Sequence, residues 1–464
     1  MKNSKMLMKI LMLGVSATLM AGTLAGCGST SPNLSASSDK TITLKFTYRD
    51  DGSNTYKKWI EDVNKKYNNP KVKVVATPIT ASEGDYFTKI DLALKSGVNC
   101  PDLVTEDTFM LNSDASAGFL EDLTPKLSAW SDWKNQFSDA LKKGVTASDG
   151  KVYAVPYSTD SRGLWYNKEV FKKVGLPENW QPKTWDEVLA ACKVIKDKST
   201  GVVPFWMNSG KATGEATSMQ TFEMLLYGAS GTLYDQNSKK WVVKSNGMTD
   251  ALNFVDTIYK KGYGPSLSLV LNGEAGNTFA RQYMPTGKVG IGLDGYWTAG
   301  NWSKTGAAAW DGYTDKVGFA PMPTSKGQEP KTITMAGGWS LAIPKQSKNK
   351  EAAYEFLKFA MNKDNMLSVD KANGFLTTRK DVAADKSFMA IPFNKQATEM
   401  LKNAQFRPSV DKYPSVSVEI QSMVEAVATG TSPADAETKY AKNVTRIVGS
   451  DKVRSEERRV GKSV

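Results

Sequence analysis

Five segments between residues 41 and 104 alternate between two hydrophobic periods, and this alternation limits the fold more than any other feature. Residues 41–48, TITLKFTY, alternate polar and apolar side chains, the period of a half-buried strand. In residues 56–67, Tyr56, Trp59, Ile60, Val63 and Tyr67 recur at helical spacing. Residues 72–77 read as a second strand. Residues 85–96 read as a helix carrying Phe87, Ile90, Leu92 and Leu94, with Gly97 placed to end it. Pro101 then opens a short buried strand through Leu103 and Val104. Strand, helix, strand, helix, strand is the pattern of a parallel sheet with helices packed on it, so the fold class is α/β. At 464 residues the chain is too long for one small module and fits two domains.

The pattern continues downstream. Strands are predicted at 151–156, 163–167, 288–293, 317–320 and 340–343, and helices at 168–174, 220–227, 249–261, 350–362, 416–428 and 434–447. Thr184 is placed to cap a helix over 185–196, with Glu187 at the third helical position of a capping box.

The two ends stand apart from the fold. Lys2, Lys5 and Lys9 precede an uncharged apolar run over 10–24, which ends in Leu24-Ala25-Gly26-Cys27. This is a secretory signal, and its last four residues resemble the lipobox of bacterial lipoproteins. That resemblance implies a lipidated Cys27 as the mature N-terminus. The run is short of the ~20 residues a membrane span needs, so anchoring by acyl chains on a membrane surface is expected instead. Residues 28–39, GSTSPNLSASSD, read as a flexible tether. Residues 452–464, KVRSEERRVGKSV, resemble a cloning scar, and 451–464 is expected to be a non-native tail outside the fold.

Composition narrows the chemistry. The chain has no histidine, which removes the Ser-His-Asp triad, the Cys-His dyad and histidine metal sites. Its three cysteines cannot build a zinc ribbon or a disulfide scaffold. No cofactor and no metal are expected. Cys100 and Cys192 could form a disulfide or remain free thiols. Without histidine, binding should vary little near neutral pH. The leader's three lysines and the net excess of the tail account for half of the formal +12 charge. The remainder is spread without a basic block, so nucleic acid is not an expected partner. No full nucleotide, calcium or nucleophile-elbow motif occurs.

Three stretches together resemble family 1 extracellular solute-binding proteins, the receptors of ATP-driven importers. They are DYFTKIDLALKSGVNCPDLV at 85–104, DGKVYAVPYSTDSRGLWYNKEVFKKVGLPENWQPKTWDEVLAACKVIKD at 149–197, and GGWSLAIPKQSKNKEAAYEFLKFAMNKDNM at 337–366. The resemblance spans about 41–450. It implies two lobes, each a mainly parallel sheet flanked by helices, joined by a hinge of several crossings with ligand in the cleft between. The expected division is 40–157 and 319–347 for the N-terminal lobe. The C-terminal lobe takes 158–318 and 348–450.

The resemblance also nominates ligand contacts, each with a structural alternative. Arg49, Asp50 and Asp51 follow the first strand, and could equally be a solvated turn. Glu106, Asp107 and Thr108 follow the short strand after Pro101, where Asp107 or Thr108 could instead cap a helix. Tyr157, Asp160 and Arg162 lie at the lobe crossing, where Asp160 either meets ligand or pairs with Arg162. Trp297 matches an aromatic platform, or is a core tryptophan. Trp339 follows two glycines, and either contacts ligand or packs beneath the hinge. Trp206 and Met219 fall near contact positions, and Arg379 reads as a surface residue. Aromatic faces suit the C–H faces of a sugar, and the polar groups its hydroxyls.

The expectation is therefore a monomeric, lipid-anchored substrate-binding protein on the outer face of the membrane. It would capture a carbohydrate, an oligosaccharide, and deliver it to a permease, without enzymatic activity. The alternatives are the same receptor for a polyol phosphate or peptide, with Arg49 and Arg162 pairing to an anion, and a secreted glycan enzyme using two carboxylates.

Overall fold

The structure, a computed structural model, describes residues 41–456 apart from 51–54 and 82. The leader, Cys27, the tether, Asp51 and residues 457–464 lie outside the described residues. The strands are β1 (Ile42–Asp50), β2 (Val72–Thr80), β3 (Leu103–Asp107), β4 (Ala154–Pro156), β5 (Arg162–Asn167), β6 (Val203–Trp206) and β7 (Tyr234–Asp235). They continue with β8 (Lys240–Lys244), β9 (Val289–Gly295), β10 (Val317–Pro323), β11 (Thr332–Met335), β12 (Trp339–Ala342), β13 (Ala404–Gln405) and β14 (Val453–Ser455). Helices that matter below are α1 (Thr55–Lys66), α2 (Glu83–Ser96), α3 (Thr108–Ser116), α4 (Trp185–Lys198) and α5 (Asn246–Lys260). Further on come α6 (Lys350–Ala360), α7 (Lys363–Asn373), α8 (Tyr413–Ala428) and α9 (Pro433–Val448).

Two sheets divide the strands. The first has the order β2-β1-β3-β12-β4 and the second β13-β11-β10-β5-β9-β6. β1 pairs in parallel with β2 and β3, as the opening pattern requires, and β12 enters antiparallel to β3 and β4. The second sheet is mixed rather than mainly parallel. β5 runs against both β9 and β10, and β10 against β11. The chain passes directly from β4 of the first sheet to β5 of the second across 157–161.

Each sheet has its own core. Leu44, Phe46, Trp59, Ile60, Ile90, Val104 and Leu341 pack with Ala353, Phe356 and Leu357 of α6 against the first sheet. β5 is apolar on both faces because both are covered. Leu164 and Tyr166 face a core with Val188, Leu252, Tyr413 and Ile420, while Trp165 faces Phe319, Val289 and Trp302. Each fully buried aliphatic or aromatic side chain contributes about 1.5–3 kcal/mol.

The expected division of the chain moves at three places. β10 and β11 belong to the second sheet, so only β12 of 319–347 joins the first. The segment from α6 to Phe388 packs into the first core, because the apolar face of α6 meets β1. Residues 453–455, expected outside the fold, pair as β14 with β8, and Arg454 bridges Asp235 and Glu456. Cys100 and Cys192 are both free thiols. Among the described residues no helix is long and apolar enough to cross a membrane, and no acidic, cysteine or histidine group could hold a metal ion.

Candidate ligand-binding cleft

Two crossing segments, 157–161 and 336–338, are bonded to each other where the sheets meet. The Tyr157 and Ser158 amides donate to Trp339 O at 2.9 and 3.3 Å, and the Trp339 amide donates to Ser158 Oγ at 3.0 Å. Thr159 Oγ1 donates to Gly337 O at 3.1 Å. Gly338 has φ +138°, and a Cβ there would stand 2.0 Å from Ser158 O. Only glycine lets the two strands approach this closely. Several of the nominated residues lie near this junction, on both sides of it.

On the first-sheet side, Arg49 lies over the Trp339 indole, 5.5 Å from its centroid. Trp339 is half-buried and stacks on Phe87 with an 8° interplanar angle. Tyr157 is buried and stacks on Trp59, so it presents little surface. Asp50 is buried and accepts from Thr80 Oγ1 at 3.1 Å. Asp107 caps α3, accepting from the Phe109 amide at 3.1 Å, as the structural alternative required. It also receives Arg407 Nη2 at 2.5 Å. Glu106 is fully buried near Asp114 and Asp91, and burial together with those carboxylates raises its pKa well above the usual range.

On the second-sheet side, Asp160 and Arg162 form the ion pair that was the structural alternative to a ligand contact, and Asp160 also accepts from the Gly337 amide at 3.1 Å. The Arg162 guanidinium lies over the Trp297 ring at 4.9 Å, and Trp297 is half-buried against Gly295. Asp294 accepts from Gln220 Nε2 at 3.0 Å and the Gly295 amide at 2.7 Å. Burial pushes its pKa up to about 6 against those donors and Arg162. Met219 and Gln220 sit on a π-helical stretch, Ala216–Glu223, a backbone form often found at functional sites. The Met219 methyl reaches Gly337.

Two readings are corrected. Trp206 is 1% exposed and packs on Tyr283 and Phe279, so it belongs to the core beneath the sheet rather than to the cleft wall. Arg379 is not a surface residue. It is 2% exposed and bonded to Asp381, Asp132 and Met361 O inside the first lobe.

Sequence reasoning also missed a charged group. Arg407 Nη1 donates to Glu215 Oε2 at 3.0 Å, and Tyr413 OH donates to Glu215 at 3.0 Å and to Glu223 at 2.6 Å. Burial raises Glu223 to about 8 and Glu83 to about 7, the latter also pushed up by Asp107 and lowered by Arg49. These residues are far apart in sequence, and only the fold brings them together. The sole sequence signal was unusual polarity at the start of an apolar helix. Two surface hollows, of about 330 and 810 Å³, contain none of these residues.

The chemistry of the group is polar and nearly self-neutralised, with two half-buried indoles at its rim. Comparison with known proteins agrees with this architecture. Residues 49–367 match the family model described as bacterial extracellular solute-binding protein. The maltooligosaccharide ABC transporter solute-binding lipoprotein of Streptococcus pneumoniae is 27% identical over 459 residues, covering 96% of this chain and 97% of its own. The maltodextrin-binding protein MdxE of Bacillus subtilis is 24% identical, over 93% of this chain and 95% of its own. Among solved structures, maltose-bound MalE3 of T. maritima has a TM-score of 0.75 and 27% identity, covering 88% of this chain and 100% of its own. A tagatose-bound solute-binding protein of Thermotoga lettingae gives 0.75 and 28%, with the same coverage. The two-lobed fold, the order of its segments and the family match together place this chain among the bacterial extracellular solute-binding proteins.

Proposed function

We propose that this chain captures a neutral carbohydrate in the cleft between its lobes and delivers it to the permease of an ATP-driven importer. The observation that carries this is that each arginine named here already faces an internal carboxyl group. Arg162 is paired with Asp160, and Arg407 with Asp107 and Glu215. Glu83 faces Arg49, and Asp294 faces Arg162. A phosphate or carboxylate would have to displace an internal carboxylate and then be buried beside it. Hydroxyls need no counter-charge; they exchange hydrogen bonds with the same carboxylates, amides and guanidiniums. Trp297 and Trp339 supply flat faces for the C–H surface of a sugar ring. Asp50, Asp160, Arg49 and Arg162 supply the polar contacts, with Met219 closing the floor. The relatives named for maltooligosaccharide and maltodextrin make linear α-linked glucose oligosaccharides the first ligands to try. Lipid attachment at Cys27 would hold a monomer at the outer face of the membrane, within reach of its permease.

A thermal-shift series with glucose, maltose and longer maltooligosaccharides, alongside glycerol phosphate and a short peptide, tests this. A ligand held far above its dissociation constant raises Tm by mass action. A rise with a sugar series and none with the anion or peptide is expected. A rise with glycerol phosphate alone would overturn the neutral-ligand reading.

A further inference from the structure

The two lobes also touch along a line that starts beside the crossing strands, where Asp107 pairs with Trp339 and Arg407 Nη2 lies against Gly337, and that runs on along α3. Arg407 follows β13, which pairs with β11, so its backbone belongs to the second sheet. Its guanidinium is only 5% exposed. One arm holds Glu215 of the second lobe; the other holds Asp107 at the end of β3 and Thr108 Oγ1 at 3.0 Å, both of the first. Its face lies 4.9 Å from the Phe109 ring centroid. One turn further along α3, Asn112 donates to Asp411, and Ser116 donates to it at 2.9 Å. Phe109 also packs edge-on against Tyr413. Residues 108, 112 and 116 share one helix face. A whole face of a first-lobe helix is thus bonded to the second-lobe segment 407–413.

We infer that this is an interlobe clasp. Arg407 closes the lobes by carrying a carboxylate from each, and Asp411 extends the closure along α3. Opening the cleft separates Asp107 from Arg407, whose second arm keeps Glu215. The arginine therefore stays seated in the second lobe while the bond to the first breaks and reforms. Fork geometry makes this possible, since one guanidinium offers two separate edges. The clasp sets how much of the ligand-free population is already closed. Ligand affinity and dissociation inherit that bias.

The inference rests on capture by lobe closure but not on the nature of the ligand, so its test begins without one. Small-angle scattering of the ligand-free protein compares wild type with Arg407→Gln, Asp411→Ala and Glu215→Gln. Arg407→Gln and Asp411→Ala, which removes the oxygen that accepts from Asn112 and Ser116, should increase the radius of gyration with an unchanged circular-dichroism spectrum. Glu215→Gln should change it less, because the bond from Arg407 to Asp107 survives. With any sugar that the screen identifies, the ligand should leave Asp411→Ala about tenfold faster. Asp411 is exposed, so its variant folds even if Arg407→Gln does not. An unchanged radius in the folded variants overturns the clasp. A negative sugar screen would leave it standing and count against the proposed ligand instead.

Discussion

Trp297 concentrates the argument at the scale of a single residue. Its ring is half-buried, flanked by Arg162 and set on Gly295. Trp297→Ala should weaken sugar binding by about 1–3 kcal/mol, the worth of an aromatic contact plus its buried area. Calorimetric titration measures this, and unchanged affinity would remove the stacking role. Gly338 makes a sharper structural prediction. Its φ of +138° and the 2.0 Å approach of Ser158 O leave no room for a side chain. Gly338→Ala should lower stability by more than 1 kcal/mol and disturb binding, as a urea titration would show. Strand ends, glycines and the family resemblance nominated Asp160, Arg162, Trp297 and Trp339, and the structure pairs Asp160 with Arg162, sets Arg162 over Trp297 and bonds Trp339 to the 157–158 segment. Trp206 was misread, since position at a strand end does not say which face the ring takes. Arg407 was illegible: its partners are Asp107 and Glu215, and no periodicity encodes a contact across 300 residues.

Local signals gave most elements at the next scale. Thr184 caps α4, accepting from the Glu187 amide at 3.2 Å, while Glu187 returns a bond to the Lys183 amide at 2.8 Å. Thr184→Ala should cost about 1 kcal/mol in chemical denaturation, without effect on ligand affinity. A loss under 0.3 kcal/mol would mean the cap is idle. The helical stretch at 220–227 was visible, but its π-helical winding was not, because its causes are tertiary. Gln220 is pulled toward Asp294 and Glu223 toward Tyr413. β14 was dismissed on its charge and its resemblance to a cloning scar. Its neighbour β8, with Trp241 and Val243 in the core, supplies the apolar partner that the charged tail lacks.

At the scale of the whole molecule, the absence of histidine suggested that binding varies little near neutral pH. Burial reverses that expectation by moving carboxyls into the neutral range. Burial raises Asp114 and Glu223 to about 8, Glu83 to about 7 and Asp294 to about 6. Each binds its proton more tightly folded than unfolded. Their contribution is full below the ordinary carboxyl pKa and is lost as pH rises through the folded values. Glu121 acts oppositely. Against burial, Lys350 and Lys345 hold it low, so its contribution is lost in acid. Stability should therefore peak near pH 5 and fall toward pH 8, which a Tm series would show; a flat profile over that range would contradict it. Binding should weaken over the same range if Glu83 and Asp294 meet the ligand.

Capture between closing lobes is the central claim, and a distance across the cleft tests it most directly. Spin labels at Glu351 in the first lobe and Lys193 in the second, both exposed, report that separation. Cys100→Ser removes the partly exposed native thiol, while Cys192 is buried. Saturating maltooligosaccharide should shorten and narrow the distance distribution. An unchanged distribution, with sugar bound by calorimetry, would contradict capture by closure.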